Sequence, residues 1–198
     1  MAKTFFTSDT HFNDPRLNIY SRPFKSVDEM NKVMVDNWNK TVAKEDTIWH
    51  LGDFSKNKEG YKFLDQLNGK INLILGNYDE EALGDYSIFN SVQKNAIVDI
   101  KGRSYFLTHK PEDYSKSLFN LVGHIHGLWK VQRNMINVGV DAWHFLPVSE
   151  EQIEMHYEAI HKFYDKNVFI GEYIKTSKDT SILNNITRKV VAKLNESK

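Results

Sequence analysis

Apolar residues come in short, dense runs along the first two-thirds of this chain, and a polar cluster follows each run. Lys3 to Ser8, Thr47 to Leu51 and Ile71 to Leu75 each hold enough consecutive apolar positions for a buried strand. After the first of these comes a long polar loop, Asp9 to Lys25, punctuated by Pro15 and Pro23. A helix then opens at Ser26. Ser26 and Glu29 fit a capping box, and Met30, Val33, Met34 and Trp38 form one apolar stripe at helical spacing. Tyr61 to Leu67 predicts a second helix. Alternation of strand and helix predicts an α/β layered fold.

Further along the chain the pattern changes. Ala96 to Ile100, the turn Lys101-Gly102-Arg103 and Ser104 to Thr108 predict a hairpin. Leu118 to Val122 and Met135 to Val140 predict further short strands, so a second, strand-rich sheet should face the first. From Ser149 onward the pattern is helical, over Glu150 to Tyr164 and again over Ser181 to Leu194. In the last segment Ile182, Ile186, Val190 and Leu194, with Leu183 and Val191 alongside, make a stripe suited to core packing. The expected division is a core over residues 1–148 and a helical extension over 149–198 packed on the same domain.

Composition narrows the classes. At 198 residues, with 40% hydrophobic and 26% charged positions, the chain suits one soluble globular domain. Its 26 basic and 26 acidic residues balance, which does not favour nucleic acid as a partner. The absence of cysteine excludes disulfides, thiolate zinc sites and cysteine nucleophiles. The N-terminal apolar run is too short for a signal peptide and no stretch approaches a membrane span. No membrane association is expected, and the expected compartment is the cytoplasm.

The chemistry lies where the apolar runs stop. Asp9 and His11 follow the first, Asp53 the second, Asn77 the third, His109 the Tyr105–Thr108 run, and His124 and His126 the Leu118–Val122 run. In an extended segment His124 and His126 point to one side, and Gly123 and Gly127 let the backbone bend around a ligand. Taken singly, each cluster also reads as a turn or a hydrogen-bonded loop. Together, two Asp, one Asn and four His are too many for one tetrahedral site and suit two metals sharing a carboxylate. Imidazole mixed with hard oxygen donors favours manganese, iron, zinc or nickel over calcium or magnesium.

These blocks, in this order over residues 4–141, resemble the calcineurin-like metallophosphoesterases. His11-Phe12, Arg22-Pro23-Phe24, His50-Leu51-Gly52-Asp53 and Asn137-Val138-Gly139-Val140-Asp141 are similar to a group of small bacterial and phage phosphoesterases. The resemblance implies a four-layer α/β/β/α sandwich. It also implies two divalent transition metal ions, manganese foremost. Asp9, His11 and His126 would hold one, Asn77, His109 and His124 the other, and Asp53 both. A hydroxide bridging the two metals would then attack phosphorus in line.

One position departs from the family pattern. The third block usually carries a histidine that protonates the leaving group, oriented by an acidic residue; here Tyr78 stands there, followed by Asp79. Asn77, Tyr78 and Asp79 are therefore the candidate catalytic residues. A phenol, with a pKa near about 10, gives up its proton less readily than imidazolium. Family members lacking the histidine are associated with phosphodiester cleavage. The expected activity is therefore that of a phosphodiesterase on a small or nucleotide-like phosphoester. A phosphomonoesterase or nuclease of the same fold, or a non-catalytic metal-binding scaffold, are the alternatives. Tyr78 could also be incidental, with His50 or a metal-bound water supplying the proton.

Arg22, Tyr78 and His50 are the candidate substrate contacts. Arg22 also fits a surface charge pair, as Arg16 does more readily, and His50 fits the core or a support of the ligands. Trp143-His144 suits either stacking on a nucleobase or capping the core. His156 and His161 read as surface residues. The oligomeric state stays open.

Overall fold

The computed structural model describes residues 2–82 and 85–163. The chain divides into two compact units, Met1–Glu158 and Ala159–Lys198. The helix expected over Ser181 to Leu194 lies outside the described residues.

The first sheet has the order β10-β1-β2-β3-β4, with β1 Thr4–Thr7, β2 Thr47–His50, β3 Lys70–Ile74, β4 Ser91–Gln93 and β10 Val148–Ser149. β1 to β4 run parallel and β10 closes the edge antiparallel to β1. The second sheet has the order β5-β6-β7-β9-β8: β5 Asn95–Ile100, β6 Arg103–Thr108, β7 Phe119–Val122, β8 Val131–Gln132 and β9 Met135–Asn137. β5 and β6 form the expected hairpin, while β6, β7 and β9 run parallel.

Helix α1, Val27–Thr41, packs on the first sheet. The Ser26 side chain accepts from Glu29 N, and the Glu29 carboxylate accepts in return from Lys25 N, one residue before the position a strict capping box uses. Met30, Met34 and Trp38 bury against Phe5, Ile48, Ile71 and Leu73. Phe6 and Ile74 lie on the opposite face by strand alternation, yet both are fully buried. The first sheet is therefore covered on both sides. Helix α2, Glu150–Phe163, covers the second sheet: the Tyr157 ring meets Phe119 edge-on at 5.0 Å, and Arg103 of β6 pairs with Glu154 and Glu158. The fold is mixed α/β, two sheets with few helices and a helix at the end of the described chain. Its layers follow the expected order of helix, sheet, sheet, helix.

The expected helix over Tyr61 to Leu67 is instead a 3-10 helix over Lys58–Gln66, entered through Asn57, whose side chain accepts from Gly60 N. The strand expected over Met135 to Val140 stops at Asn137. There the chain leaves its own sheet: Gly139 bridges to Ser8, and Val140 N donates to Ser8 O at 3.0 Å. This crossing joins the carboxyl edges of the two sheets, which is where ligands sit in open α/β sheets.

Candidate metal centre

Parallel pairing brings the polar clusters to the carboxyl edge of each sheet, and the Gly139–Ser8 crossing joins the two edges. Asp9 and His11 follow β1, Asp53 follows β2, Asn77 follows β3, His109 follows β6, and His124 and His126 follow β7. The loops are stitched together: Asp9 N donates to Gly52 O, His11 N to Asp53 O, and Gly123 N to His109 O. Five of these residues have left-handed backbones: Asp9 (φ 58°), His11 (48°), Asp53 (56°), His124 (72°) and His126 (50°). Such a conformation is uncommon for residues other than glycine, and Asp and His tolerate it better than most. It turns each chain sharply as its strand ends and aims the side chain across the edge.

Two groups result. Asp9, His11 and His126 bring ligand atoms within 4.8 Å of one another, and so do Asp53, His109 and His124. The Asn77 side-chain oxygen lies 3.2 Å from His109 Nε2, beside the second group. Asp53 Oδ2 lies 3.7 Å from His11 Nε2 and 3.5 Å from His109 Nε2, so one oxygen faces both groups.

The donor set fits cations. Both ring nitrogens of His11 are buried without a hydrogen-bond partner, a costly arrangement for an imidazole unless a Lewis acid takes a lone pair. Burial holds His11 down to about 3, so the ring is neutral, the ligating form. His109 Nδ1 faces Leu51 O at 2.7 Å, and His126 Nδ1 faces Asp141 Oδ2 at 2.7 Å. Each contact fixes a tautomer that leaves Nε2 for a metal. Burial pushes the Asp9 carboxyl up, against the pull of His109 and His126. Burial also pushes Asp53 up, but the hydrogen bond and charge of His109 outweigh it and leave Asp53 below the usual range. Burial works against His109 in turn, and its bond to Asp53 with the charge of Asp9 overcomes this, lifting it to about 9. A proton thus stands between carboxylate and imidazole where a cation would.

Residues 3–139 match the family profile of the calcineurin-like phosphoesterase superfamily domain. The chain belongs to that superfamily. An uncharacterized protein of Methanocaldococcus jannaschii is 33% identical over 168 residues, covering 77% of this chain and 90% of that protein. The gene 66 protein of Mycobacterium phage L5 is 28% identical over 195 residues, covering 77% and 93%. Among solved structures, a protein of unknown function from Aquifex aeolicus superposes with a TM-score of 0.65 at 26% identity, over 78% of this chain and 99% of that one. Calcineurin-like phosphoesterases are a metal-binding family, and among the described residues no helix is long and apolar enough to cross a membrane.

Several residues singled out in the sequence are occupied by the protein itself in this superfamily member. Arg22, a candidate substrate contact, is turned into the protein. Its side chain is fully buried and clamps Asp141 with two bonds, Nε to Oδ1 at 2.8 Å and Nη2 to Oδ2 at 2.9 Å, while Nη1 donates to Thr10 O. Arg22 thus holds Asp141, and Asp141 holds His126. Arg22→Leu leaves the Asp141 charge buried without its main partner. It should cost about 3–5 kcal/mol of stability, read by urea denaturation, and lower metal affinity about 10–100-fold. Stability within 1 kcal/mol of wild type, on the order of a surface substitution, would remove the clamp from this account.

Asp79, a candidate catalytic residue, is also turned inward. It is buried and accepts from Asp53 N (2.7 Å), Gly76 N (2.8 Å), Phe54 N (3.0 Å) and Tyr61 Oη (2.7 Å), so it positions the loop carrying Asp53. His50 is likewise withdrawn, buried beside Phe54. Thr10 gives its hydroxyl hydrogen to Phe54 O, so His50 Nε2–H donates to Thr10 Oγ1 at 3.0 Å. Burial lowers His50 to about 3. The sign follows: between that value and 6.5 the unfolded chain takes a proton that the folded chain refuses, so stability falls as pH drops. From pH 7 to 5, His50 alone should remove roughly 2 kcal/mol. His50→Gln should flatten the denaturation profile by that amount, and parallel profiles would exclude this role. Trp143 caps the core, its Nε1 donating to Asn137 O at 2.7 Å.

Tyr78 does lie at the mouth. Its backbone N–H donates to Asp53 Oδ1 at 3.0 Å and its ring meets His11 edge-on at 5.5 Å. Two contributors have no role in the sequence reading. Asp141 ends the Asn137–Asp141 block that carries the resemblance, but its partners, Arg22 and His126, come from distant loops. Tyr20 stacks on His11 at 4.6 Å and on His126 at 4.4 Å, from a loop with no periodicity to mark it.

Proposed function

We propose that the chain is a binuclear-metal-dependent phosphodiesterase acting on a small or nucleotide-like phosphoester. The position of Asp53 Oδ2 between the two groups carries this reading. Asp9, His11 and His126 would hold one cation, Asn77, His109 and His124 the second, and Asp53 would serve both. Manganese suits the set best, with iron, zinc and nickel also compatible. When bound, the pair supplies Lewis acidity and a nucleophilic water at neutral pH. The chain's own residues do the rest. Arg22 and Asp141 keep His126 in register, Leu51 O keeps His109 in its tautomer, and Asp79 keeps the Asp53 turn closed. Tyr78 presents a phenol to the leaving oxygen in place of an imidazole. Phenol is the weaker acid of the two at neutral pH, which favours substrates whose leaving group needs little protonation.

The test is hydrolysis of bis-para-nitrophenyl phosphate against para-nitrophenyl phosphate by metal-stripped protein refilled with Mn²⁺. Strong diester preference is expected, and Asn77→Ala should remove most turnover. Tyr78→His should raise monoester activity by about 10-fold or more, since a placed imidazole gains general-acid power. Monoester preference in the wild type would replace the diesterase reading. No metal-dependent turnover of either substrate would favour the scaffold reading, and salt-sensitive DNA binding a nuclease.

A further inference from the structure

Arg16 invites a closer reading than a surface charge pair. Asp14, itself buried, grips its guanidinium edge: Nε lies 2.9 and 3.1 Å from the two carboxylate oxygens, and Nη2 2.5 Å from Oδ2. Arg16 Nη2 also donates to Tyr20 Oη at 2.7 Å, and Nη1 donates to Tyr78 Oη at 3.2 Å. Asp14 receives a further bond from Tyr20 Oη. Among the described residues this accounts for every guanidinium hydrogen but one, on Nη1. Both aromatic partners belong to the mouth of the centre, Tyr20 stacked on His11 and His126, and Tyr78 edge-on to His11. The guanidinium carbon sits 5.5 Å from the Tyr20 ring and 5.0 Å from the Tyr78 ring. The side chain stays about a quarter exposed. A flexible cation on the surface gains little from such fixing. A cation that must meet an anion in one orientation gains a great deal, because the loss of rotamer freedom is settled before binding.

We propose that Arg16 and Tyr78 form a preassembled anion clamp, held by Asp14 and Tyr20, in which Arg16 takes a non-bridging oxygen of the substrate phosphate while Tyr78 keeps its hydroxyl hydrogen for the leaving oxygen. Arg16 supplies the free Nη1–H. Tyr78, accepting from Arg16, turns its own hydroxyl hydrogen toward the site. Asp14 and Tyr20 are positioning residues. Arginine keeps its charge throughout the working pH range, so the clamp does not titrate as an imidazole would. The clamp deepens the phosphodiesterase reading and rests on it for the identity of the substrate. Its anion binding can be measured without turnover.

The experiment is calorimetric titration of the Mn²⁺-loaded protein with inorganic phosphate, beside titration of the stripped protein with Mn²⁺. Arg16→Ala should weaken phosphate binding about 10-fold or more while leaving Mn²⁺ affinity within about threefold, as expected for loss of a charge-assisted bond at the mouth. Arg16→Lys should recover part of the loss, since it restores the charge but not the planar fork. Tyr20→Phe keeps the ring stack and removes the hydroxyl. It should give an intermediate phosphate defect and a raised KM with little change in kcat.

Unchanged phosphate affinity in Arg16→Ala would overturn the clamp, and so would a parallel loss of Mn²⁺ affinity, which would make Arg16 a support of Asp14 alone. If the wild type turns over diester and the Arg16 variants match it, the clamp fails and the phosphodiesterase reading stands. If the wild type binds phosphate through Arg16 but hydrolyses neither ester, the clamp stands and the phosphodiesterase reading fails.

Discussion

Asp53→Asn should leave the protein folded and cut metal-dependent phosphoester hydrolysis on the order of 10³-fold or more, the scale of losing a group on which both cations would depend under the proposed binuclear reading. The variant keeps the shape of the side chain. Asparagine tolerates the left-handed backbone that Asp53 adopts, at φ 56°, and its amide oxygen can still accept from Tyr78 N. What it loses is the charged oxygen that faces His11 and His109 together. Without metal, two effects on stability oppose each other. The bond to His109 weakens, and the repulsion that Asp53 exerts on the buried Asp9 carboxylate disappears. The net change should stay within about 2 kcal/mol. Circular dichroism and urea denaturation establish the fold, Mn²⁺ titration counts the bound ions, and kcat/KM gives the activity. Wild-type turnover with two ions bound would show that Asp53 is not shared between them.

Gly52→Ala should be the more damaging change to the fold, costing more than about 3 kcal/mol. Gly52 has φ +91°, and a Cβ there would stand 2.6 Å from Gly76 N and 2.7 Å from His109 Nδ1. One neighbour is backbone. The other is a ring fixed against Leu51 O, so neither can give way cheaply. Gly102 separates the two causes. Its φ of +84° is similar, but nothing lies within 4 Å of an added Cβ. Gly102→Ala should therefore cost only the backbone penalty, about 1–2 kcal/mol. Denaturation midpoints for the pair should differ clearly. Equal midpoints would mean that the close approach of the β2, β3 and β6 ends is not what demands glycine at position 52.

Much of this arrangement was legible in the chain because it is local. A run of apolar residues ending in Gly-Asp or His-x-His carries both the strand and the side chain its end presents. Parallel pairing then gathers the ends of β1, β2 and β3 in one sheet and of β6 and β7 in the other, and the Gly139–Ser8 crossing joins the two edges. The features that escaped notice depend on partners distant in sequence. Arg22 is a buried clamp because Asp141, 119 positions away, needs one. Asp79 looks catalytic beside Asn77 and Tyr78, and only the fold of the Asp53 loop shows that its oxygens are fully occupied. The two- and three-residue strands β4, β8 and β10 are too short to carry a period, and they exist because a neighbouring strand offers its free edge. The 3-10 helix over Lys58–Gln66 has a helical apolar pattern, which does not distinguish a tight helix from an α-helix.

The two candidate groups join widely separated stretches of chain, His11 to His126 and Asp53 to His124. Cations held there would act as cross-links, closing loops of more than 70 residues. In a chain without cysteine they would take the place of disulfides, with the difference that they can be untied without redox chemistry. The gain from closing a loop grows only slowly with its length, so the second ion, closing the shorter loop, would add nearly as much as the first. Ion supply would then govern how long the chain survives as well as how fast it works, and a shortage would show first as proteolytic loss of the protein.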